Sequence, residues 1–136
     1  GHGLFSTLED FSKFSQMLLT GKTQKDDIIL SPSMLLEATT NHLEKNYFPL
    51  EIKNIAENKE ENDLESYGWG LGFRVKIHLS KTNGIGSIGE FGWAGAAATY
   101  FLVDSKKEIS AVLMTQALNG DPSLINHFYK FVYTHF

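Results

Sequence analysis

Apolar positions at Leu8, Phe11, Phe14, Met17 and Leu18 recur at helical spacing and predict a first helix. Ser6 followed by Glu9 has the form of a capping box at its start, and Gly21 stands where a left-handed cap would close it. Lys22 to Asp27 reads as a polar loop. Ser31-Pro32, a capping residue followed by a first-turn proline, predicts a second helix running to about Thr40.

From residue 41 the periodicity is lost. Glu44, Lys45, Glu51, Lys53, Glu57, Lys59, Glu60, Glu61, Asp63 and Glu65 mix both signs, so residues 44–66 are expected to be a solvated surface loop or insertion, with room for a short helix.

After Tyr67 the spacing becomes that of strands broken by glycines. Trp69 to Ile77 alternates and predicts one strand. Lys81-Thr82-Asn83-Gly84 predicts a turn, and Ile85 to Trp93 interleaves glycine with apolar residues. Thr99 to Val103 and Ile109 to Gln116 predict two more strands, joined through Asp104-Ser105-Lys106-Lys107. Asn119-Gly120-Asp121-Pro122 then opens a closing helix, with Leu124, Ile125, Phe128, Phe131 and Val132 as its inward stripe. The order predicts an α+β fold in one unit over residues 1–136, an antiparallel sheet covered by helices.

Composition narrows the functional classes. Hydrophobic content of 42% and charged content of 21% suit a globular domain. The net charge of -4 and a single arginine, Arg74, give no basis for nucleic-acid binding. No apolar run reaches the ~20 residues of a membrane span. Cysteine is absent, so disulfides and thiolate metal sites are excluded, while the compartment stays open.

Catalytic groups are hard to find. The chain contains neither Ser-x-x-Lys nor Gly-x-Ser-x-Gly, and His2, His42, His78, His127 and His135 lack metal-ligand spacing. The carboxylates cluster in the charged loop, without a dry pocket to shift them. Glu90 could line a cleft but reads better as an exposed turn residue. Trp69, Phe73 and Tyr100 read as sheet packing. No metal or organic cofactor is implied. The unusual stretch is Trp93-Ala94-Gly95-Ala96-Ala97-Ala98, small residues in a segment otherwise patterned as a strand. On composition they fit a tight β-bulge, or a helix packed hard against a small-residue strand, better than a site where substrate approaches the backbone.

Several segments in register change that weighing. Gly1 to Phe14 (Gly-x-Gly-Leu-Phe-Ser-Thr-x-x-Asp-x-x-x-Phe), Gln16-Met17-Leu18-Leu19-x-Gly21 and Leu30-Ser31-Pro32 are the first of them. Tyr67-Gly68-Trp69-Gly70-Leu71-Gly72-Phe73, Gly89-Glu90-Phe91-Gly92-Trp93, Thr99-Tyr100-Phe101-x-Val103-Asp104 and Val112-x-Met114-Thr115-Gln116 follow in order. Together they resemble the serine β-lactamase-like family of class C β-lactamases, penicillin-binding DD-peptidases and related esterases. The resemblance covers nearly the whole chain outside residues 44–66.

The resemblance implies a C-terminal portion of a partial β-lactamase/transpeptidase-like fold. The nucleophilic serine, its lysine and a tyrosine would belong to a missing N-terminal part of the same protein. The family's third motif, usually Lys-Thr-Gly or His-Thr-Gly, would fall on Trp93-Ala94-Gly95, close to the Trp-Gly-Gly form of some esterase-like members. Trp93, Ala94 and Gly95 would then contact substrate, and the Ala96 amide would be one oxyanion-hole donor, worth on the order of 10²–10³ in rate. Trp93 brings no positive charge and Ala94 no hydroxyl for a β-lactam carboxylate. The resemblance therefore implies an ester or amide substrate for the parent, processed through an acyl-enzyme, with weak or absent β-lactam hydrolysis. A non-catalytic binding or scaffold protein derived from the same fold is the alternative.

Overall fold

A computed structural model describes residues 4–47, 66–79, 84–118, 121 and 123–136. The sequence expectations for residues 48–65, for the Lys81–Asn83 turn, for Asn119-Gly120 and Pro122, and for Gly1 to Gly3 lie outside the described residues. Helix α1 spans Leu8–Thr20 and α2 spans Pro32–Ala38, and a single 3-10 turn follows at Lys45–Tyr47. The strands are β1 (Tyr67–Trp69), β2 (Arg74–Lys76), β3 (Phe91–Ala94), β4 (Tyr100–Asp104) and β5 (Ile109–Leu113), before helix α3 at Ser123–His135. All neighbouring strands are antiparallel, in the order β1-β2-β3-β4-β5. The fold is α+β, as expected.

Strand β4 explains the layering. Its side chains alternate between two faces. Phe101 and Val103 join Met17 and Leu18 of α1, with Val75 and Phe91, in one core. Tyr100 and Leu102 join Ile109 and Val132 of α3 in the other. Leu102 and Val103 are wholly buried. Each such side chain contributes about 1.5–3 kcal/mol by leaving water. The sheet is thus sandwiched by α1 on one face and α3 on the other.

Three local expectations are corrected. The Trp69–Ile77 segment is not one strand but the hairpin β1–β2, turned through residues 70–73 with Gly70 N–H donating to the Phe73 carbonyl at 2.8 Å. Among its residues Gly72 takes the left-handed φ of 96° that a tight reversal needs. On α3 the inward stripe is Ile125, Phe128, Tyr129, Val132 and Tyr133, while Phe131 is 54% exposed and Leu124 also lies outward. The rotation follows the two tyrosines, whose hydroxyls have buried partners.

The third concerns the cap of α1. Thr7, not Ser6, has the extended N-cap backbone, and its hydroxyl accepts the Asp10 N–H at 3.1 Å. The acid at the cap is Asp10 rather than Glu9, and its Oδ2 accepts from the Thr7 hydroxyl at 3.1 Å. Gly21 ends the helix in left-handed conformation as expected, and Ser31 caps α2 with Pro32 in its first turn. Thr7→Ala is expected to destabilise the chain by about 1 kcal/mol. Ser6→Ala should stay within about 0.5 kcal/mol of the parent. Urea unfolding of both variants checks the assignment, and a larger loss in Ser6→Ala would reverse it.

Candidate functional site

The stretch Trp93 to Ala98 begins in the middle strand of the sheet and leaves it. Trp93 pairs with Phe101 and Ala94 with Tyr100 at the end of β3. The small residues that follow form a turn, and neither a bulged strand nor a helix contact. Gly95 N–H donates to the Thr99 carbonyl at 2.8 Å, and Ala98 N–H donates to the Gly95 carbonyl at 3.1 Å. Ala98 adopts a left-handed φ of 55° to close it. The Thr115 hydroxyl and the Ala117 N–H both donate to the Ala97 carbonyl, tying the turn to the chain beyond β5.

Within this frame Trp93 and Ala94 are half-buried, and Gly95 and Ala96 are exposed. The Ala96 N–H has no hydrogen-bond partner among the described residues. Ala96 is thus an exposed residue on an anchored turn. Gly95 is constrained by Thr99, whose hydroxyl a Cβ would meet. Trp93 packs against the α1-side core and meets Trp69 edge-on, with ring centroids 4.5 Å apart at 81°. The four residues singled out from the sequence therefore lie together at one end of β3, next to an aromatic pair.

Glu90 contradicts its expected place. It is 2% exposed, directly before β3, and not in an open turn. Its Oε2 accepts from the Tyr129 hydroxyl at 2.7 Å and contacts the Tyr133 hydroxyl at 2.8 Å, both on α3. Lys76 of β2 is equally buried, with Nζ 3.7 Å from Glu90 Oε2, 2.6 Å from the Tyr129 hydroxyl and 2.5 Å from the Ile85 carbonyl. Tyr133 also lies 3.0 Å from Asp104 Oδ2, while Asp104 Oδ1 accepts the backbone N–H groups of Lys106 and Lys107. Beside this cluster Arg74 lies 4.0 Å over the Tyr67 ring and donates to the Tyr100 hydroxyl at 3.0 Å.

The electrostatics follow from burial. Desolvation raises the Glu90 carboxyl above its ordinary value, and Lys76, Tyr129, Tyr133 and Arg74 only partly offset it. Burial likewise pushes the Tyr100, Tyr129 and Tyr133 phenols upward. These hydroxyls remain protonated donors. The sequence signal for the cluster was faint: a lysine in an apolar strand and an acid set between two apolar runs. On sequence alone Glu90 reads as an exposed turn residue and Asp104 as part of the connection between two strands.

The described histidines do not converge. His42 Nε2 lies 2.8 Å from the Glu37 carbonyl oxygen, and His78, His127 and His135 are exposed. Among the described residues no group of three His, Cys, Asp or Glu side chains could hold a metal ion, and no helix is long and apolar enough to cross a membrane.

Fold and site thus define a helix-covered antiparallel sheet with a small-residue turn at the end of its middle strand and a buried ionic cluster under its C-terminal helix. The chain is similar to two Mycobacterium tuberculosis proteins, "Protein Rv1367c" of strain H37Rv and "Uncharacterized protein MT1414" of strain CDC 1551, each 27% identical over 143 residues. The matches cover 91% of the chain but only 33% of each relative, so the chain spans about a third of the length of the curated relatives it matches. No family model matches the chain.

Proposed function

We propose that the chain forms one wall of the active site of a serine hydrolase of the β-lactamase/esterase type, acting on an ester or amide through an acyl-enzyme. The observation that carries this reading is the exposed residue Ala96, whose N–H has no partner among the described residues, on a turn anchored by Thr99, Thr115 and Ala117. A backbone donor held on a fixed turn is what a tetrahedral oxyanion requires. Trp93 with Trp69 offers an apolar aromatic surface for the rest of the substrate. Neither Trp93 nor Ala94 supplies a cation or hydroxyl for a carboxylate, which favours a neutral ester or amide over a β-lactam.

In this mechanism a serine from a longer parent protein attacks the carbonyl, the Ala96 amide stabilises the oxyanion, and water releases the acyl group. A fluorophosphonate probe should label one serine of the parent within a Ser-x-x-Lys motif. The 136-residue chain should remain unlabelled and hydrolyse no p-nitrophenyl ester above background. Saturable turnover by the chain alone, or a parent with no labelled serine, would overturn the reading. Efficient penicillin hydrolysis by the parent would overturn the substrate preference.

A further inference from the structure

The contacts of the buried cluster require more hydrogens than its phenols supply. Besides a longer contact of the Tyr129 hydroxyl with the Ile85 carbonyl at 3.2 Å, three O···O contacts run in file from Tyr129 to Glu90 at 2.7 Å, from Glu90 to Tyr133 at 2.8 Å, and from Tyr133 to Asp104 at 3.0 Å. Tyr129 and Tyr133 bring one hydroxyl hydrogen each. The Tyr129 oxygen already accepts from Lys76 Nζ, so the lysine serves as the head of the file and cannot fill the later gaps. If Glu90 were ionised and accepted from both tyrosines, Tyr133 would face the Asp104 carboxylate oxygen with no hydrogen between them. One carboxyl must contribute the third.

Asp104 Oδ1 accepts two backbone N–H groups and Oδ2 ends the file, which suits a terminal acceptor. Glu90 Oε2 sits between two hydroxyls and must both accept and donate. We propose that Glu90 is held as a neutral carboxylic acid in a single-file chain of hydrogen bonds from Lys76 through Tyr129, Glu90 and Tyr133 to Asp104, and that its ionisation as pH rises loosens α3 from the sheet. The upward displacement of this carboxyl by burial agrees with the assignment.

The groups facing Glu90 come from every element packed on it. Arg74 and Lys76 extend from β2, Tyr67 from β1, Asp104 from β4, and Tyr129 and Tyr133 from α3; the Lys107 ammonium lies 5.2 Å over the Tyr133 ring. Two cations on one side partly support an ionised Glu90, but its only route to a second hydroxyl hydrogen takes that hydrogen from Asp104. Ionisation therefore breaks the Tyr133–Asp104 link, which joins α3 to β4.

A carboxyl raised on folding binds its proton more tightly in the folded chain than in the unfolded one. Stability from this source is complete below the ordinary Glu value of 4.5 and declines as pH rises from there through the folded value. The unfolding equilibrium constant of the chain should rise by up to about tenfold per pH unit across that window. In Glu90→Gln, whose side chain does not titrate, that component of the slope should vanish. Infrared spectra of the wild-type chain at neutral pH, with carbon-13 in the glutamate carboxyls, should show a protonated-carboxyl stretch that shifts with the label. An unchanged slope in Glu90→Gln overturns the proposal. So does a spectrum without that band, or a band that shifts only with labelled aspartate, and the wild-type spectrum decides the matter even if the variant fails to fold.

Discussion

Gly92→Ala is expected to abolish the native fold, with a loss of more than about 4 kcal/mol, beyond the range of most single substitutions. Gly92 is buried in β3 and pairs with Leu102 of β4. A Cβ at this position would overlap the Phe101 carbonyl oxygen and come within 3.0 Å of both the Phe101 carbonyl carbon and Leu102 Cα. Those atoms belong to backbone, so no rotamer change relieves the overlap. Strands lie about 4.7–4.9 Å apart, and admitting a methyl group here means prying β3 from β4. That pair includes β4, which is buried along its whole length, and Leu102 and Val103 would be exposed with it. Domain stability is commonly about 5–15 kcal/mol, so the loss takes most or all of it. Gly95→Ala is the control. Its added Cβ meets only the Thr99 hydroxyl, a side chain that rotates, and should cost about 1 kcal/mol. Near-ultraviolet circular dichroism and urea unfolding separate the two. A Gly92→Ala chain with a parental unfolding midpoint would refute the close-approach account.

The contrast between these glycines shows what the sequence could reveal. Periodicity located α1, α2, β4 and β5 because each is governed by its own spacing and caps. Ser31-Pro32 and Gly21 act within a few residues, so their effect is readable without knowing the rest of the chain. The β1–β2 hairpin was hidden because Trp69 and Arg74 each suit a strand, and only the Gly70 to Phe73 hydrogen bond shows that the chain reverses between them. On α3 the apolar count favoured Phe131 over Tyr133. Tyr133 turns inward because two acids, from β4 and from the segment leading into β3, wait under the helix.

The candidate site divides the same way. Trp93, Ala94, Gly95 and Ala96 were legible because they are consecutive, and small residues at a strand end are conspicuous. Their arrangement as a turn was not, since it depends on Thr115 and Ala117, distant in sequence, closing on Ala97. The ionic cluster was the least legible feature. Lys76, Glu90, Asp104 and the α3 pair Tyr129 and Tyr133 come from four separate parts of the chain, and each alone is ordinary. A buried charge shows itself only through its partners, and partnership is a property of the fold. Such a cluster adds little net stability compared with well-packed apolar residues, yet disrupting it is costly because the remaining polar groups stay buried.

Gly86→Ala tests that asymmetry from outside the cluster's own side chains and is expected to cost roughly 3–5 kcal/mol. Gly86 holds a left-handed φ of 83°, and a Cβ there would overlap Glu90 Oε2 and the Tyr129 hydroxyl and lie 2.8 Å from Lys76 Nζ. The left-handed backbone accounts for about 1–2 kcal/mol of the loss. The remainder comes from the displaced donors and acceptors, since a buried polar group deprived of its partner costs about 1–3 kcal/mol. Gly84→Ala isolates the first contribution. Gly84 is also left-handed, with φ 59°, but nothing lies within 4 Å of its added Cβ. It should therefore lose only about 1–2 kcal/mol. The tips of Glu90, Tyr129 and Lys76 are ends of long side chains, and on an open surface they would swing aside at little cost. Here each tip is fixed by the next, so moving one to admit the methyl group breaks the file between β2 and α3. Urea unfolding of both variants gives the difference directly, and equal losses at Gly84 and Gly86 would mean that the cluster yields freely and does not fasten the helix to the sheet.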